Sequence, residues 1–396
     1  MSLQALRLAT ASQPKSRQVA VGGFSLIELL VSMAMALTLA SGVLQIYVSS
    51  TALDRNQEAR ARMLENGRLA IHLLAEELRL AGALGCLPML AMGAVTSTLQ
   101  YEPDTLQPEQ GIQGWEATTS SASLNQVVQA DVPVVSTSAG HWTGSAGSVL
   151  EETFAMPESD IMRVWFAATT RATLAASSDA QVLTLLGSGA PEVAAGDVLL
   201  LSDCLHADWV QACEVESSAQ EAVVNAMPTS TCSPGNRPDS IVQSRVGSEV
   251  LRLQSSIFYI GKRGDVATNL PALFRRPLNR SAVAGAAEEL VEGVARMQLQ
   301  FGVNLDADSL NSVDAYVTAD LVPDWQLVIS VRINLLLQSI EDHLLSTPQA
   351  YEFDGISYDG QPGNGSLPPD TRLRQEFSTT VALRARVETV AGVFAP

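Results

Sequence analysis

Apolar residues fill positions 24 to 48 with almost no interruption, and Glu28 is the only side chain among them that is charged at neutral pH. At ~1.5 Å per residue these 25 residues make a helix of about 37 Å, enough to cross a ~30 Å hydrocarbon core with some tilt. The pattern then turns amphipathic. In AIHLLAEELRLAG, Leu69, Leu73, Leu74, Leu78 and Ala81 recur at helical spacing, with Arg68, His72, Glu76, Glu77 and Arg79 on other faces, until Gly82 and Gly85 stop the run. One helix of nearly 60 residues is predicted, with an apolar first half and a second half that offers a stripe for packing.

Beyond the helix the period changes. Residues 88–155 are rich in Ser, Thr, Gly, Gln and Pro, and read as loops with short strands. Strand patterns appear at 160–168, 181–186, 197–203 and 249–261, each β-branched or aromatic and bounded by turn residues. Further on, Met297, Leu299, Phe301 and Val303 alternate with Gln298 and Gln300. In WQLVISVRINLLLQS, Leu327, Ile329, Val331, Ile333, Leu335 and Leu337 share a face, with Ser330, Arg332, Asn334 and Gln338 opposite. Such alternation predicts an antiparallel sheet with one buried face. The fold class expected is α+β, a long N-terminal helix laid on an antiparallel sheet head with a loop-rich insertion.

Charge gives the helix a direction. Arg7, Lys15 and Arg17 precede the apolar run with no acid before Gly23, and Asp54 and Arg55 are the first charges after it, which orients the N-terminus toward the cytoplasm. A carboxylate inside a span costs about 2.5–3.5 kcal/mol on insertion scales, so Glu28 needs a function and a partner. A cleaved secretory signal, with a loose small-residue site at Ala36 to Ser41, and a plain signal anchor both leave Glu28 unexplained.

Gly23, Phe24, Ser25, Leu26, Ile27 and Glu28 together resemble the prepilin peptidase site of type IV pilins and type II secretion pseudopilins. The resemblance implies cleavage between Gly23 and Phe24, N-methylation of Phe24, and Glu28 as fifth residue of the mature chain. There it would pair with the α-amino group of Phe24 on a neighbouring subunit and set helix register. Four later segments, 258–276, 288–304, 325–339 and 373–386, resemble the C-terminal blocks of PilW-type minor pilins. The implied organisation is a leader at 1–23, a transmembrane half-helix at 24–48, an amphipathic stalk at 49–82 and a periplasmic β-rich head at 83–396. The head divides into a variable part, 83–248, and a C-terminal β part, 249–396.

The function implied by these resemblances is that of a minor pilin, joining an initiation or tip complex of the type IV pilus and held in the inner membrane before assembly. Its implied partners are the prepilin peptidase/N-methyltransferase, other minor pilins, the major pilin, the inner-membrane assembly platform and a tip adhesin. A type II secretion pseudopilin and a tip adhesin or binding module are the alternatives. For the last, exposure of Trp115, Trp142 and Trp209 would favour binding and their burial would favour a scaffold.

The remaining chemistry is sparse. The leader holds three of the 24 Lys and Arg, so the rest of the chain carries 21 against 42 Asp and Glu, a formal −21, which argues against nucleic acid. HExxH, GxSxG and Walker A motifs are absent from the sequence, no cofactor is expected, and His72, His141, His206 and His343 are dispersed. The chain reads as a structural subunit and not an enzyme. Cys86, Cys204, Cys213 and Cys232 all fall on the exported side and read as two disulfides, with Cys204–Cys213 as a local loop leaving Cys86 for Cys232, and the other pairings open. Asn304, Asp306 and Asp308, with Asp314 beyond, sketch the start of a calcium loop that lacks its glycine and closing Glu, so a solvated acidic turn is the preferred reading and no metal is expected.

Overall fold

The computed structural model describes residues 25–87, 95–100, 108–117, 142, 155–156, 158–178, 181–227, 232–238, 245–262, 270–277, 286–305, 312–361, 367 and 370–385. Residues 1–24, most of 88–155, Asp306 and Asp308 lie outside them. The chain divides into two units, 1–55 and 56–396.

Helix α1 runs Leu26–Leu80 and covers the predicted helix almost end to end. Its stretch within the first unit is apolar and exposed: Leu26, Leu39 and Ile46 each leave about 70% or more of their surface open (77%, 71% and 71%). Here Ser32, Thr38, Ser41 and Thr51 each donate their hydroxyl to the carbonyl three residues back, at 2.8–3.2 Å, so these four hydroxyls need no water. Among the described residues α1 is the one helix long and apolar enough to cross a membrane by length and composition.

In the second unit α1 buries Ala59, Met63, Gly67, Ala70, Leu74, Ala75 and Leu78, most of them spaced three or four apart. The stripe differs from the expected one: Leu69 is 43% exposed and Leu73 only half-buried. Small residues (Ala59, Gly67, Ala70 and Ala75) share the seam with Met63, Leu74 and Leu78, letting the helix approach the sheet closely between the larger side chains. Burial of Met63, Leu74 and Leu78 stabilises the seam by about 1.5–3 kcal/mol each. At the end, Gly82 takes φ +73° and donates its N–H to the Trp165 carbonyl at 2.8 Å, turning the chain into the head.

The head contains β1 (Val95–Ser97), β2 (Ile112–Trp115), β3 (Ile161–Ser178), β4 (Val182–Leu186), β5 (Val198–Ser202), β6 (Ala207–Gln211), β7 (Glu214–Ser217), β8 (Glu221–Asn225) and β9 (Glu249–Lys262). The C-terminal part adds β10 (Pro271–Pro277), β11 (Glu288–Glu292), β12 (Val294–Val303), β13 (Ala315–Val317), β14 (Val328–Gln338), β15 (Tyr351–Phe353), β16 (Ile356–Tyr358) and β17 (Arg374–Ala382). The strands expected at 160–168, 181–186, 197–203 and 249–261 are β3, β4, β5 and β9. The class is α+β, as expected from the sequence.

Instead of one sheet the head has two, plus the β15–β16 hairpin. The large sheet takes the order β1-β6-β5-β9-β3-β4-β8-β7, with β2 on β3 and β10–β11 continuing from β9; all its pairings are antiparallel except β1 with β6. The second sheet has the order β13-β12-β14-β17, antiparallel throughout. The chain crosses between them at Gly293, φ +84°, whose N–H donates to Pro271 and whose carbonyl accepts from Gln338. The segment 288–304 is thus split between two sheets, β11 before and β12 after, by one residue in a conformation glycine tolerates.

The main core lies where α1 meets both sheets, with Leu74 and Leu78 in the same cluster as Phe258 and Leu273 of the large sheet and Leu299, Ile333 and Leu335 of the small one. β14 is buried on both faces, against the one-faced expectation. Leu336, on its second face, packs with Tyr351, Phe353 and Leu367, and Asn334 donates to Asp354 Oδ1 at 2.6 Å.

Candidate functional site

Glu28 sits in the first turn of α1, where the unpaired N–H groups and the helix dipole favour a carboxylate. The turn is hydrogen-bonded from Leu29, whose N–H donates to the Ser25 carbonyl at 3.1 Å. Glu28 is exposed and meets no partner among the described residues. Gly23 and Phe24, the residues of the expected cleavage and methylation, lie outside the described residues. What the geometry offers is a helical, unburied carboxylate at the start of an apolar surface, available to another chain.

The stalk is locked to the head by polar contacts around its apolar stripe. Asn66 donates its side-chain amide to the Glu292 carbonyl at 3.1 Å. Arg62 reaches both Glu58 and Glu341, at 2.6 and 2.9 Å. Arg275 spans Glu77 at 3.2 Å and Glu288 at 2.7 Å. Burial pushes the Glu77 carboxyl up, more than the neighbouring Arg275 draws it down. His72, as expected, is an exposed stalk residue, 3.4 Å from Glu76.

A buried polar knot joins the two sheets and leaves little trace in the sequence. Asp160, at the head of β3, accepts N–H from Ala117 at 2.9 Å and from Leu299 of β12 at 2.7 Å. Burial holds its carboxyl well above the usual range, with the nearby Glu116 pushing the same way. Glu116 itself is raised to about 7, first by burial and further by Asp320 and Asp354, against an N–H from Ala319. Beside it Arg296 pairs with Glu158 and lies over the Tyr358 ring at 5.7 Å. Arg163 is fully buried between the faces of Trp115 and Trp165, 5.5 and 5.2 Å from their centroids. The only sequence signal is an Asp and an Arg inside the apolar run 160–168, two charges where a buried strand ought to carry none.

The disulfides are Cys86–Cys204 and Cys213–Cys232, with Cα separations of 5.1 and 5.2 Å. This corrects the expected Cys204–Cys213 and Cys86–Cys232. Sequence proximity misleads because β6 lies between Cys204 and Cys213, and five extended residues span about 17 Å, beyond the ~7 Å that a bridge allows. Cys204 sits in the β5–β6 turn at φ +69°, facing the segment that continues from α1.

Of the calcium candidates, Asn304 donates its N–H to the Leu327 carbonyl, and Asp314 Oδ2 accepts from Leu305 N–H at 2.6 Å, as a turn residue does. Asp306 and Asp308 lie outside the described residues. Among the described residues no three His, Cys, Asp or Glu gather into a metal-binding group. Trp115 and Trp209 are buried, and Trp142 is half-buried with its indole N–H donating to the Ser159 carbonyl at 2.9 Å.

Residues 257–385 match the family model described as type IV pilus-assembly protein W. This stretch takes in the first three C-terminal blocks identified from sequence and all but the last residue of the fourth. A solved type IV-like pilin from Thermus thermophilus aligns over 50% of this chain and 87% of its own, at 14% identity and a TM-score of 0.19. No curated protein matches the chain.

Proposed function

We propose, from the match of residues 257–385 to the family model described as type IV pilus-assembly protein W, that the chain is a type IV pilus-related pilin, a minor pilin acting in pilus assembly. The observation that carries the reading is the pairing of this C-terminal region with an N-terminal helix whose apolar stretch is exposed and bears one carboxylate in its first turn. The helix anchors the chain in the membrane. We assign the N-terminus to the cytoplasm and the head to the periplasm, from the basic residues ahead of the span.

In this reading prepilin peptidase cuts between Gly23 and Phe24 and methylates Phe24. Glu28 then pairs with the α-amino group of Phe24 on a neighbouring pilin. Such an ion pair in lipid sets register, because leaving either partner alone is costly, about 3–5 kcal/mol for a buried pair. The head engages other minor pilins, the major pilin and the assembly platform to start the fibre. Trp115 and Trp209 are buried, which favours a scaffold, while Trp142 is only half-buried, so the criterion of all three is met by two. A family of assembly subunits, and the sparse chemistry of the sequence, support a non-catalytic role.

Processing tests the reading. Gly23→Ala should accumulate a full-length membrane-bound precursor, seen by mass spectrometry of the isolated protein, and unaltered cleavage would remove the peptidase assignment. Glu28→Ala should be cleaved normally yet lower fibre numbers in electron micrographs; normal piliation in that variant would reject the register role.

A further inference from the structure

The small sheet ends on β17, and that strand holds a run of main-chain groups unused among the described residues. Antiparallel partners exchange hydrogen bonds through alternate residues. The Leu383 N–H donates to Ile329 and the Ser339 N–H to Leu373, which fixes the parity: Gln375, Phe377, Thr379 and Val381 turn their main chain toward β14. Glu376, Ser378, Thr380 and Ala382 therefore turn N–H and carbonyl outward. Arg374, of the outward set, is satisfied by Gln349, whose Oε1 accepts its N–H at 2.8 Å and whose Nε2 donates to its carbonyl at 3.1 Å. The main-chain groups of the next four meet no partner among the described residues.

This edge is unusual within its own molecule. β1, β13 and β7 are edges of only three, three and four residues, whereas β17 has nine and contains neither Pro nor Lys. Sheets ordinarily blunt or cover an edge of that length.

A groove of about 350 Å³ runs between β17 and the stalk, with Ile71 and Ala75 in its lining and Arg68, His72 and Arg79 along the helix side. Arg384, just past the strand, lines a second cleft that shares Arg79. Arg68, Arg79 and Arg384 are exposed, and none has a carboxylate in ion-pair range among the described residues. The nearby acids are engaged elsewhere, Glu76 with His72 and Glu77 with Arg275. Three open guanidinium groups beside one open edge stand out on a chain of formal charge −18.

We propose that the outer edge of β17 receives an extended acidic segment of a partner protein as an added strand. The partner's main chain pairs with Glu376, Ser378, Thr380 and Ala382, and its carboxylates meet Arg68, Arg79 and Arg384. The charge of the rim selects acid over base, and the open main chain selects an extended segment over a helix. The inference does not depend on how the N-terminal helix is used.

The test uses the full-length protein in detergent micelles and fluorescence anisotropy of a labelled peptide of alternating Glu and Val, with a Lys and Val peptide as control. The acidic peptide should bind, more weakly as salt rises, and the basic one should not. Thr380→Pro removes an outward N–H, a place where an edge strand tolerates proline, and should abolish binding while keeping the urea midpoint. Combining Arg68→Glu, Arg79→Glu and Arg384→Glu should weaken binding about tenfold or more, since each exposed pair contributes a factor of about two to five. If Thr380→Pro misfolds, Ser378→Pro and the salt dependence carry the same test. Equal binding of the basic peptide, or unchanged binding in the proline variant, overturns the proposal. So does self-association of the peptide-free chain that Thr380→Pro abolishes, since the occupant is then a second copy.

Discussion

Gly67 allows the stalk to lie against the small sheet, and the contact can be tested as a pair. A Cβ at this position would fall 2.5 Å from Phe377 Cζ and 2.6–2.7 Å from two neighbouring ring atoms. Ordinary carbon contacts begin near 3.5 Å, so the ring or the helix must retreat by about 1 Å. Gly67→Ala gains about 1 kcal/mol of helix propensity and loses about 1–3 kcal/mol to overpacking, so the single variant should change stability by between roughly 0 and 2 kcal/mol, in the destabilising direction. Phe377→Ala removes the clash together with some packing. In that background Gly67→Ala should stabilise, because only the propensity gain remains. Urea unfolding of the full-length protein in micelles, monitored by tryptophan fluorescence, gives the four midpoints of the cycle. A coupling energy of about 1–3 kcal/mol is expected for residues in contact. Additivity of the two changes within error would refute the claim that this glycine sets the helix-to-sheet distance.

The two disulfides should differ in worth. Replacing Cys86 and Cys204 by Ser opens a loop of 118 residues and should cost about 5 kcal/mol, whereas replacing Cys213 and Cys232 opens one of 19 and should cost about 3 kcal/mol; equal urea midpoints, or a Cys204–Cys213 peptide in a non-reducing digest, would contradict the pairing. Glu116 predicts a pH slope. Its carboxyl is raised from 4.5 to about 7 in the folded head, so the fold binds a proton that the unfolded chain has already released. The contribution of this carboxyl to stability is fullest below about pH 4.5, declines as pH rises toward 7 and is level above. The span is about 3 kcal/mol at most from the size of the shift, and about 1 kcal/mol once solvent screening at this half-exposed site is allowed for. Glu116→Gln should flatten that part of the profile; an unchanged slope would mean that the carboxyl is ionised throughout.

Helix and strands are legible where one period runs without competition. The apolar run from 24 and the alternation of 297–303 and 331–337 each have a single physical solution, a long helix and strands, and the structure supplies them, with β14 buried on its second face as well; Leu327, expected on the same face, is exposed in the turn before β14, and Val328 enters the core instead of Ile329. The α1 stripe is legible in part: Leu74, Leu78 and Ala81 are buried as the spacing predicts, but Leu69 and Leu73 are not, and Ala59, Gly67 and Ala70 hold seam positions that apolar area alone does not mark. Gly293 hides a change of sheet inside the segment 288–304, since a backbone dihedral leaves no mark on hydrophobic pattern. Asp160 and Arg163 stand in plain view as charges in a core strand, but their partners, Ala117, Leu299 and two tryptophan rings, are drawn largely from segments distant in sequence. The expected disulfides fail for the opposite reason: closeness along the chain is not closeness in space. Glu28 needs no fold to be noticed, because the penalty for a charge in an apolar span is local.

Disulfide connectivity also bears on how the chain is made. Read from the N-terminus, the cysteines pair in the order in which they emerge, first with second and third with fourth. A chain threaded out of the cytoplasm in that direction, and oxidised as each thiol meets its first available mate, arrives at the native set without reshuffling. Cys86 alone faces a long wait, and when Cys204 joins it β3, β4 and β5 have already been delivered, so the first bridge closes around strands that can begin to pair. The order of synthesis and the order of covalent closure coincide, and a donor of disulfides suffices where an isomerase would otherwise be required.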